Sequence, residues 1–361
     1  MKDSRSTFNR NFQLSNEIYE KIDDILIEGK LYKQKKIEYY NLSCAFDIET
    51  SSIYLDNSQK VGVMYIWVLG INGKCIMGRT WDEFSRTLAR ISDYYQLSDT
   101  KRLVIYVHNL SFEFQFIRKR FNWIHVFADN ERSVIYCVNS LGIEFRCSYR
   151  LSGYSLSNLG KNLHKYPVTK MVGDLDYKLY RHSKTPLTDK ELKYVLNDAL
   201  VVMSYIQESI ETYGNITRLC LTKTGYVRRL CKNNCFYSNK SHKKYDKQYS
   251  NYSKLMKSLI ISSTQEYEQM HQAFMGGFTH ADSLSVGVIQ EDVASYDFTS
   301  AYPYCMIAFK YPMSRGRLRT IDNMDQFKYY INNYACLFTV AFENIKSKIR
   351  YEHYIPYAKC M

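Results

Sequence analysis

Several features that mark other classes of protein are missing from this sequence. No apolar run approaches the roughly 20 residues that a helix needs to cross a bilayer. The N-terminus, MKDSRSTFNRNF, has no apolar stretch that could serve as a signal peptide. The ten cysteines follow no regular spacing, and the chain shows no internal repeat or low-complexity tract. We therefore expect a globular protein of a reducing, intracellular compartment, with no membrane partner.

Acidic residues are few relative to basic ones. Thirty-six Asp and Glu stand against 49 Lys and Arg, a formal net charge of +13, which favours a polyanionic partner such as nucleic acid. The 34 tyrosines often lie beside cations, as in KLYKQKKIEYY, a mixture that suits single-stranded nucleic acid because bases stack on aromatic faces. A merely basic protein, and an A/T-rich genome as the source of the tyrosines, are the alternative explanations.

The pattern along the chain predicts four regions. Residues 1–40 are charged and predict a helical lead-in, whereas residues 41–220 alternate short β-rich runs with helical segments, which predicts an α/β domain. Residues 221–275 are rich in Lys and Arg, either as a nucleic-acid-contacting connection or as a solvated linker. Residues 276–361 form a second apolar and aromatic region.

Particular elements are predicted within these regions. An amphipathic helix is expected at residues 18–27. The predicted strands are Leu42 to Ile48, Val61 to Ile71, Leu103 to Val107, Val134 to Val138 and Val293 to Phe298, followed by the segments GRLRT, FTVAF and YIPYAK near the C-terminus.

Carboxylates occur at two informative places in the first half of the chain. Asp47 and Glu49 in CAFDIETSS are two residues apart on a predicted strand, so their side chains share one face. Two such carboxylates repel unless a cation lies between them, and their oxygens suit Mg²⁺ or Mn²⁺. Glu113 begins a helix after the next predicted strand, although the helix dipole alone also favours an acid there.

A third segment carries a carboxylate on a well-marked helix. Thr188 and Glu191 in PLTDKELKYVLNDALVVMSYI form a capping box, and an apolar stripe follows. Tyr194 and Asp198 are four residues apart and therefore project from one helix face, as such pairs also do by chance.

In this order the three segments resemble the ExoI, ExoII and ExoIII motifs of family B DNA polymerases, particularly the protein-primed bacteriophage type. The resemblance implies an α/β fold with an RNase H-like 3′→5′ exonuclease domain at residues 41–220. It also implies two-metal hydrolysis, with Tyr194 orienting the attacking water. The metal ligands that it implies are Asp47, Glu49, Glu113 and Asp198, with Glu113 where the family usually has Asp. The residues that it implies in DNA binding are Asn109, Phe112, Ser155, Leu156 and Tyr177.

Two later segments resemble polymerase motifs. FMGGF, with Gly276 and Gly277, resembles a glycine motif that steadies the template strand, and YDFTSAYP resembles motif A of the palm. By this resemblance Asp297 is catalytic and binds Mg²⁺ with the Phe298 carbonyl, and Tyr302 binds the incoming nucleotide and excludes a ribose 2′-OH.

No segment resembling polymerase motifs B or C follows before Met361. We therefore expect a truncated, split or fragmentary DNA polymerase that cannot polymerise by itself and acts on the 3′ end of DNA. A second polypeptide and a terminal-protein primer are the other expected partners, and a viral origin implies the host cytoplasm. The alternatives are a stand-alone 3′→5′ exonuclease and a non-catalytic DNA-binding replication subunit.

Overall fold

The computed structural model describes residues 12–54, 60–130, 132–169, 171, 179–237, 242–274, 285–339 and 343–344. The chain divides into two units, Met1–Asn233 and Asn234–Met361. The predictions for Tyr177, Gly276, Gly277 and the YIPYAK segment lie outside the described residues.

The first unit contains a mixed sheet with helices on its faces. Its strands are β1 (Ile18–Tyr19), β2 (Leu31–Gln34), β3 (Ile37–Tyr40), β4 (Cys44–Tyr54), β5 (Lys60–Ile71), β6 (Lys74–Gly78), β7 (Lys101–Val107), β8 (Trp123–Ala128), β9 (Val134–Asn139) and β10 (Ile143–Cys147). Its helices are α1 (Trp81–Tyr95), α2 (Leu110–Ile117), α3 (Ser148–Ser152), α4 (Leu156–Lys161), α5 (Asp189–Tyr213) and α6 (Lys223–Lys232), with 3₁₀ turns at Ile22–Asp24 and Ile216–Arg218. A π-helical turn at Asn233–Tyr237 begins at the last residue of this unit and continues into the second.

The sheet has the connectivity that the family resemblance implies. Its described strands follow the order β1-β6-β5-β4-β7-β10-β9-β8, and the β2–β3 hairpin joins β7 through β3. Strand β5 is antiparallel to both of its neighbours, β4 and β6, whereas β7 runs parallel to β4 and β10 parallel to β7. In chain order, β4, β5 and β6 form an antiparallel meander, and β7 and β10 then add on the other side of β4, parallel to it. This is the RNase H-like arrangement. The predicted α/β fold class is therefore confirmed.

Strand β4 divides the apolar core into two clusters, one on each face of the sheet. Cys44, Phe46 and Ile48 belong to the cluster that also contains α1 residues, whereas Ala45 belongs to the cluster that contains α5 residues. Because successive side chains of a strand alternate between faces, residues 47 and 49 lie on the α5 face with Ala45.

The capping box at the start of α5 is present as predicted. The Thr188 hydroxyl accepts a hydrogen bond from the Glu191 backbone N–H at 3.3 Å, and the Glu191 carboxylate accepts one from the Thr188 backbone N–H at 2.7 Å. The box satisfies two backbone donors that would otherwise lack partners at the helix N-terminus.

The predicted helix at residues 18–27 is wrong. Ile18–Tyr19 pairs in parallel with Cys75–Ile76 of β6, and only Ile22–Asp24 forms a 3₁₀ turn. Ile25 is fully buried in the core cluster that contains α1 residues. The apolar residues of this segment therefore contact the first unit separately, through a short strand and a core side chain. The spacing of apolar residues alone cannot distinguish this arrangement from a short helix.

The second unit is described in helices and extended segments. Its helices are α7 (His242–Ser258), α8 (Thr264–Ala273), α9 (Ala301–Ala308) and α10 (Met324–Asn333). None of its described side chains is buried. The predicted strands Val293 to Phe298 and GRLRT are wrong, because a strand needs a partner for its backbone groups and no described segment of this unit pairs with them.

The basic region also differs from a plain linker. It includes α6, whose Arg229 lies over the rings of Tyr213 and Tyr226 at 5.3 and 5.0 Å, while Lys223 lies 4.5 Å over Tyr154. These cations contact aromatic residues of the first unit. Throughout the described residues, every helix is too short or too polar to span a membrane.

A candidate metal centre between β4 and α5

Strand β4 places two carboxylates on the face that α5 covers. Asp47 is opposite Val68 of β5 and Glu49 is opposite Ile66, and both residues are partly buried on a strand that is mostly buried from Cys44 to Ile48. The register shifts directly after Glu49, at a β-bulge. Such a bulge bends the strand and increases its twist locally, which re-aims side chains next to it.

Helix α5 brings Tyr194 and Asp198 to the same face of the sheet. Their side chains are 7% and 5% exposed, and both residues lie in the sequence between apolar neighbours that pack on the sheet. Burying a carboxylate in such surroundings is unfavourable unless a partner compensates its charge.

The structure brings Asp47, Glu49 and Asp198 together although they are far apart in the sequence. One carboxylate oxygen from each lies within 4.8 Å of the other two, and this is the single group of three or more metal-ligating side chains found within the described residues. Burial raises the pKa of Asp47 well above its usual range, and the charges of Glu113, Glu49 and Asp198 raise it further. A divalent cation would relieve this repulsion, and three carboxylates are the hard oxygen ligands that Mg²⁺ and Mn²⁺ prefer.

Glu113 lies beside this group without being part of its tightest cluster. It sits in the first turn of α2 and is 3% exposed. Burial raises its pKa to about 8, and the nearby Glu49 charge adds to the shift. Its Oε2 atom is buried and has no hydrogen-bond partner among the described residues. An orphaned carboxylate oxygen in a cluster of acids fits a cation site, because a metal ion would supply the missing partner.

The residues around Glu113 are arranged by the start of α2. Asn109 precedes the helix with φ of 75°, a left-handed conformation that Asn tolerates better than most residues. Its carbonyl accepts a hydrogen bond from the Phe112 N–H at 2.8 Å. The Phe112 ring is 43% exposed and lies 5.2 Å from the Phe116 ring. Phe112 therefore presents an aromatic face to solvent one residue before Glu113.

Ser155 and Leu156 have local structural roles that the sequence motif does not reveal. The Ser155 hydroxyl caps α4 by accepting a hydrogen bond from the Asn158 N–H at 3.4 Å. Leu156 packs partly buried against the α5 side of the core.

The predicted polymerase residues belong to the second unit. Asp297 is exposed, as are the side chains of Phe298 and Tyr302 at 87% and 78%. Within the residues that the structure describes, Asp297 is in no group of three metal-ligating side chains.

Sequence reasoning missed two arginines that hold the loop before α5. Arg181 is 6% exposed and donates to Glu191, and Arg79 donates to the carbonyls of His182 and Thr185. An isolated arginine in a loop has no motif. The one feature of the sequence that could have indicated Arg181 is Glu191. Its capping role uses one carboxylate oxygen and leaves the other to accept a hydrogen bond from a further donor.

A comparison with protein families gives a match over more than half of the chain. The family model described as DNA polymerase type B, organellar and viral, matches residues 162–361, which is more than half of the chain. The matched segment includes Asp198 and Asp297 and begins after Asp47, Glu49 and Glu113. The search of curated proteins found no match.

Solved structures of Phi29 DNA polymerase show a distant likeness. The complex with primer-template DNA and incoming nucleotide is 16% identical with a TM-score of 0.44, and the match covers 67% of this chain and 40% of that one. The complex with single-stranded DNA is 16% identical with a TM-score of 0.46, over 67% of this chain and 41% of that one. The chain thus spans about 40% of the length of these polymerases.

Proposed function

Because the chain belongs to the type B DNA polymerases of organelles and viruses, we propose that its first unit is a 3′→5′ proofreading exonuclease. The proposal rests on one observation, the convergence of carboxylate oxygens from Asp47, Glu49 and Asp198 within 4.8 Å. The family match does not extend to Asp47 or Glu49, so this convergence supports the nuclease independently of it.

The acidic residues would bind two Mg²⁺ or Mn²⁺ ions. Asp47, Glu49 and Asp198 offer oxygens from one small volume, and the buried Oε2 of Glu113 offers another at its edge. When bound, such ions lower the pKa of the attacking water and stabilise the leaving 3′ oxygen. The carboxylates hold the ions in place, and their own charges keep the site selective for cations.

Tyr194 would orient the attacking water. It lies one turn before Asp198 on the same face of α5 and is almost fully buried. Burial restricts the rotation of its ring, so the phenol O–H is held in a defined direction for hydrogen bonding to water.

The substrate would be a single-stranded 3′ end. The exposed ring of Phe112 offers a stacking surface for a base, and Asn109 beside it offers an amide for hydrogen bonds. The Ser155 hydroxyl accepts a bond as a helix cap and retains its own O–H to donate to a phosphate. Leu156 would support the sugar, and Tyr177 would assist at the reacting end.

The second unit would contribute to a polymerase palm. Asp297, with the Phe298 carbonyl, would bind a divalent ion, and Tyr302 would contact the incoming nucleotide, while Gly276 and Gly277 would lie near the template strand. DNA is therefore the proposed partner of the whole chain. A second polypeptide that completes the polymerase and a terminal protein that serves as primer are further proposed partners. That the chain alone does not extend a primer stays a prediction, which a primer-extension assay tests.

The exonuclease is tested on a 5′-labelled single-stranded oligonucleotide with Mg²⁺ or Mn²⁺. We expect stepwise loss from the 3′ end by the wild-type chain and none by the Asp47→Ala/Glu49→Ala double variant. Asp198→Asn should also be inactive, whereas Asp189→Asn, an exposed aspartate on the same helix, should degrade DNA at close to the wild-type rate. Metal-independent degradation, or equal rates in all variants, would overturn the proposal.

A further inference from the structure

A buried arginine joins the two elements that carry the clustered carboxylates. Nε of Arg181 donates to Oε1 of Glu191 on α5 at 2.7 Å. The Arg181 backbone N–H donates to Oγ of Ser51 on β4 at 2.9 Å. Nη1 of Arg181 also donates to the carbonyl of Leu179 at 3.2 Å. The residue is only 6% exposed, so these contacts are made away from solvent.

Both anchoring points lie close to metal-binding carboxylates along their elements. Ser51 follows Glu49 by two residues on β4, directly beyond the bulge. Glu191 precedes Asp198 by two helical turns and therefore lies on the same helix face. The Arg181 bridge thus spans the same gap between β4 and α5 across which Glu49 and Asp198 approach each other.

The bridge is rigid because Glu191 has several partners. Its other oxygen, Oε2, accepts from the Thr188 backbone N–H at 2.7 Å and from the Thr188 hydroxyl at 2.9 Å. Oε1 cannot move without breaking a buried hydrogen bond, and Oε2 cannot move without breaking partly buried ones. The planar guanidinium adds directional restraint, since it holds its donors in a fixed geometry.

Arg79, which lies between β6 and α1, provides a natural comparison because it contacts the same loop. Its Nε donates to the Tyr65 carbonyl at 2.6 Å, and its Nη2 donates to the carbonyls of His182 and Thr185 at 3.0 and 2.7 Å. These contacts attach the loop to β5. Among the described residues, the hydrogen bonds of Arg79 go to this loop, to β5 and to Glu83 of α1, and none goes to β4 or α5.

We infer that Arg181 is a positioning residue of the metal centre, which sets the spacing between the β4 carboxylates and Asp198. This inference rests on the proposed nuclease function and extends it to a residue that does not touch the metal. Groups that orient metal ligands in this indirect way typically affect metal affinity by roughly 10- to 100-fold when they are removed. A purely structural role predicts lower thermal stability without a specific change in metal affinity.

The test is direct measurement of Mn²⁺ binding by isothermal titration calorimetry on the whole chain. Arg181→Met is compared with Arg79→Met, which also removes side-chain hydrogen bonds that hold this loop in place. We expect Mn²⁺ binding to weaken roughly tenfold or more in R181M and to change little in R79M, with thermal unfolding measured for both. Equal Mn²⁺ affinity in R181M and the wild type would overturn the inference.

A second variant covers the case in which R181M does not fold. Arg181→Lys keeps the charge, but a single ammonium cannot reproduce the planar fork of donors, so weaker Mn²⁺ binding than wild type is again expected. Unchanged affinity in folded R181K overturns the inference. A wild-type chain whose Mn²⁺ binding equals that of D47A/E49A overturns the proposed metal centre itself, which separates the two failures.

Discussion

Two features of Glu113 bear on its role at this site, its side-chain length and its buried carboxylate oxygen. Its side chain is one methylene longer than the aspartate usual at this place in the resembled family, and its buried Oε2 has no described partner. Its carboxylate lies beside the cluster and outside its tightest group.

We predict that Glu113→Ala lowers the rate of 3′-end removal by roughly tenfold or more, because removal of a group that supports a metal site typically costs that much activity. Glu113→Asp should retain most of the activity, because it keeps a carboxylate at the same helix position. Single-turnover degradation of a labelled oligonucleotide measures both rates. Wild-type activity in E113A would show that Glu113 takes no part in the reaction.

A second buried acid, Glu144, supports the sheet instead of the site. It is paired with Arg146 at 2.7 Å and with Arg102 at 3.0 Å. Burial alone would raise the pKa of Glu144, but the two arginines outweigh it and the pKa is lowered. The folded state therefore favours the ionised carboxylate. This contribution to stability is present above the unfolded-state pKa and is lost as the pH falls through the folded-state pKa.

Glu144→Gln should lower the free energy of unfolding near pH 7 by about 3 kcal/mol, because it leaves buried arginine charge uncompensated. The difference between wild type and E144Q should shrink as the pH is lowered below the usual glutamate range. Urea unfolding at a series of pH values measures it. Asp129→Asn, which removes an exposed pair with Arg150, is the control and should have little effect. A difference that stays constant with pH would contradict the account.

At the scale of elements, local patterns predicted β4 and α5 well. The strand predicted at Leu42 to Ile48 and the Thr188 capping box both follow from neighbouring residues alone. The structure has the strand at Cys44–Tyr54 and the capping box at the start of α5. The 18–27 segment and Val293 to Phe298 were predicted wrongly, because whether they form regular structure depends on partners distant in sequence. The role of Arg181 was missed for the same reason, since Ser51 and Glu191 become its neighbours only after folding.

The cap of α5 gives a prediction at this scale. Thr188→Ala removes the hydroxyl that accepts from the Glu191 N–H and donates to its carboxylate. We expect the free energy of unfolding to fall by about 1 kcal/mol, as measured by chemical denaturation. Thr188→Ser keeps the hydroxyl and should be close to wild type. Equal destabilisation by both substitutions would show that the methyl group, not the cap, matters.

At the scale of the whole molecule, charge and family membership point to the same partner. The formal net charge of +13 and the match to viral and organellar DNA polymerases both support the proposal that the partner is DNA. The individual carboxylates could be picked out from local sequence patterns, but only the family resemblance implied that they meet, because their meeting point depends on the order of strands in the sheet and on the packing of α5 against it.

The charge predicts that DNA binding is sensitive to salt. Contacts between cationic side chains and phosphates release counterions, so affinity should fall steeply between about 50 and 200 mM salt. Fluorescence anisotropy with a single-stranded oligonucleotide measures this, and an uncharged methylphosphonate oligonucleotide is the control. Affinity for the natural oligonucleotide that does not change with salt would contradict the prediction.

The central claim, that Asp47, Glu49 and Asp198 form a metal centre, is tested most directly by anomalous X-ray diffraction from crystals of the chain soaked in Mn²⁺. We predict an anomalous peak bounded by these three carboxylates that is absent from crystals of the Asp198→Asn variant. Mn²⁺ bound elsewhere, with no peak at the three carboxylates of the folded wild-type chain, would contradict the account.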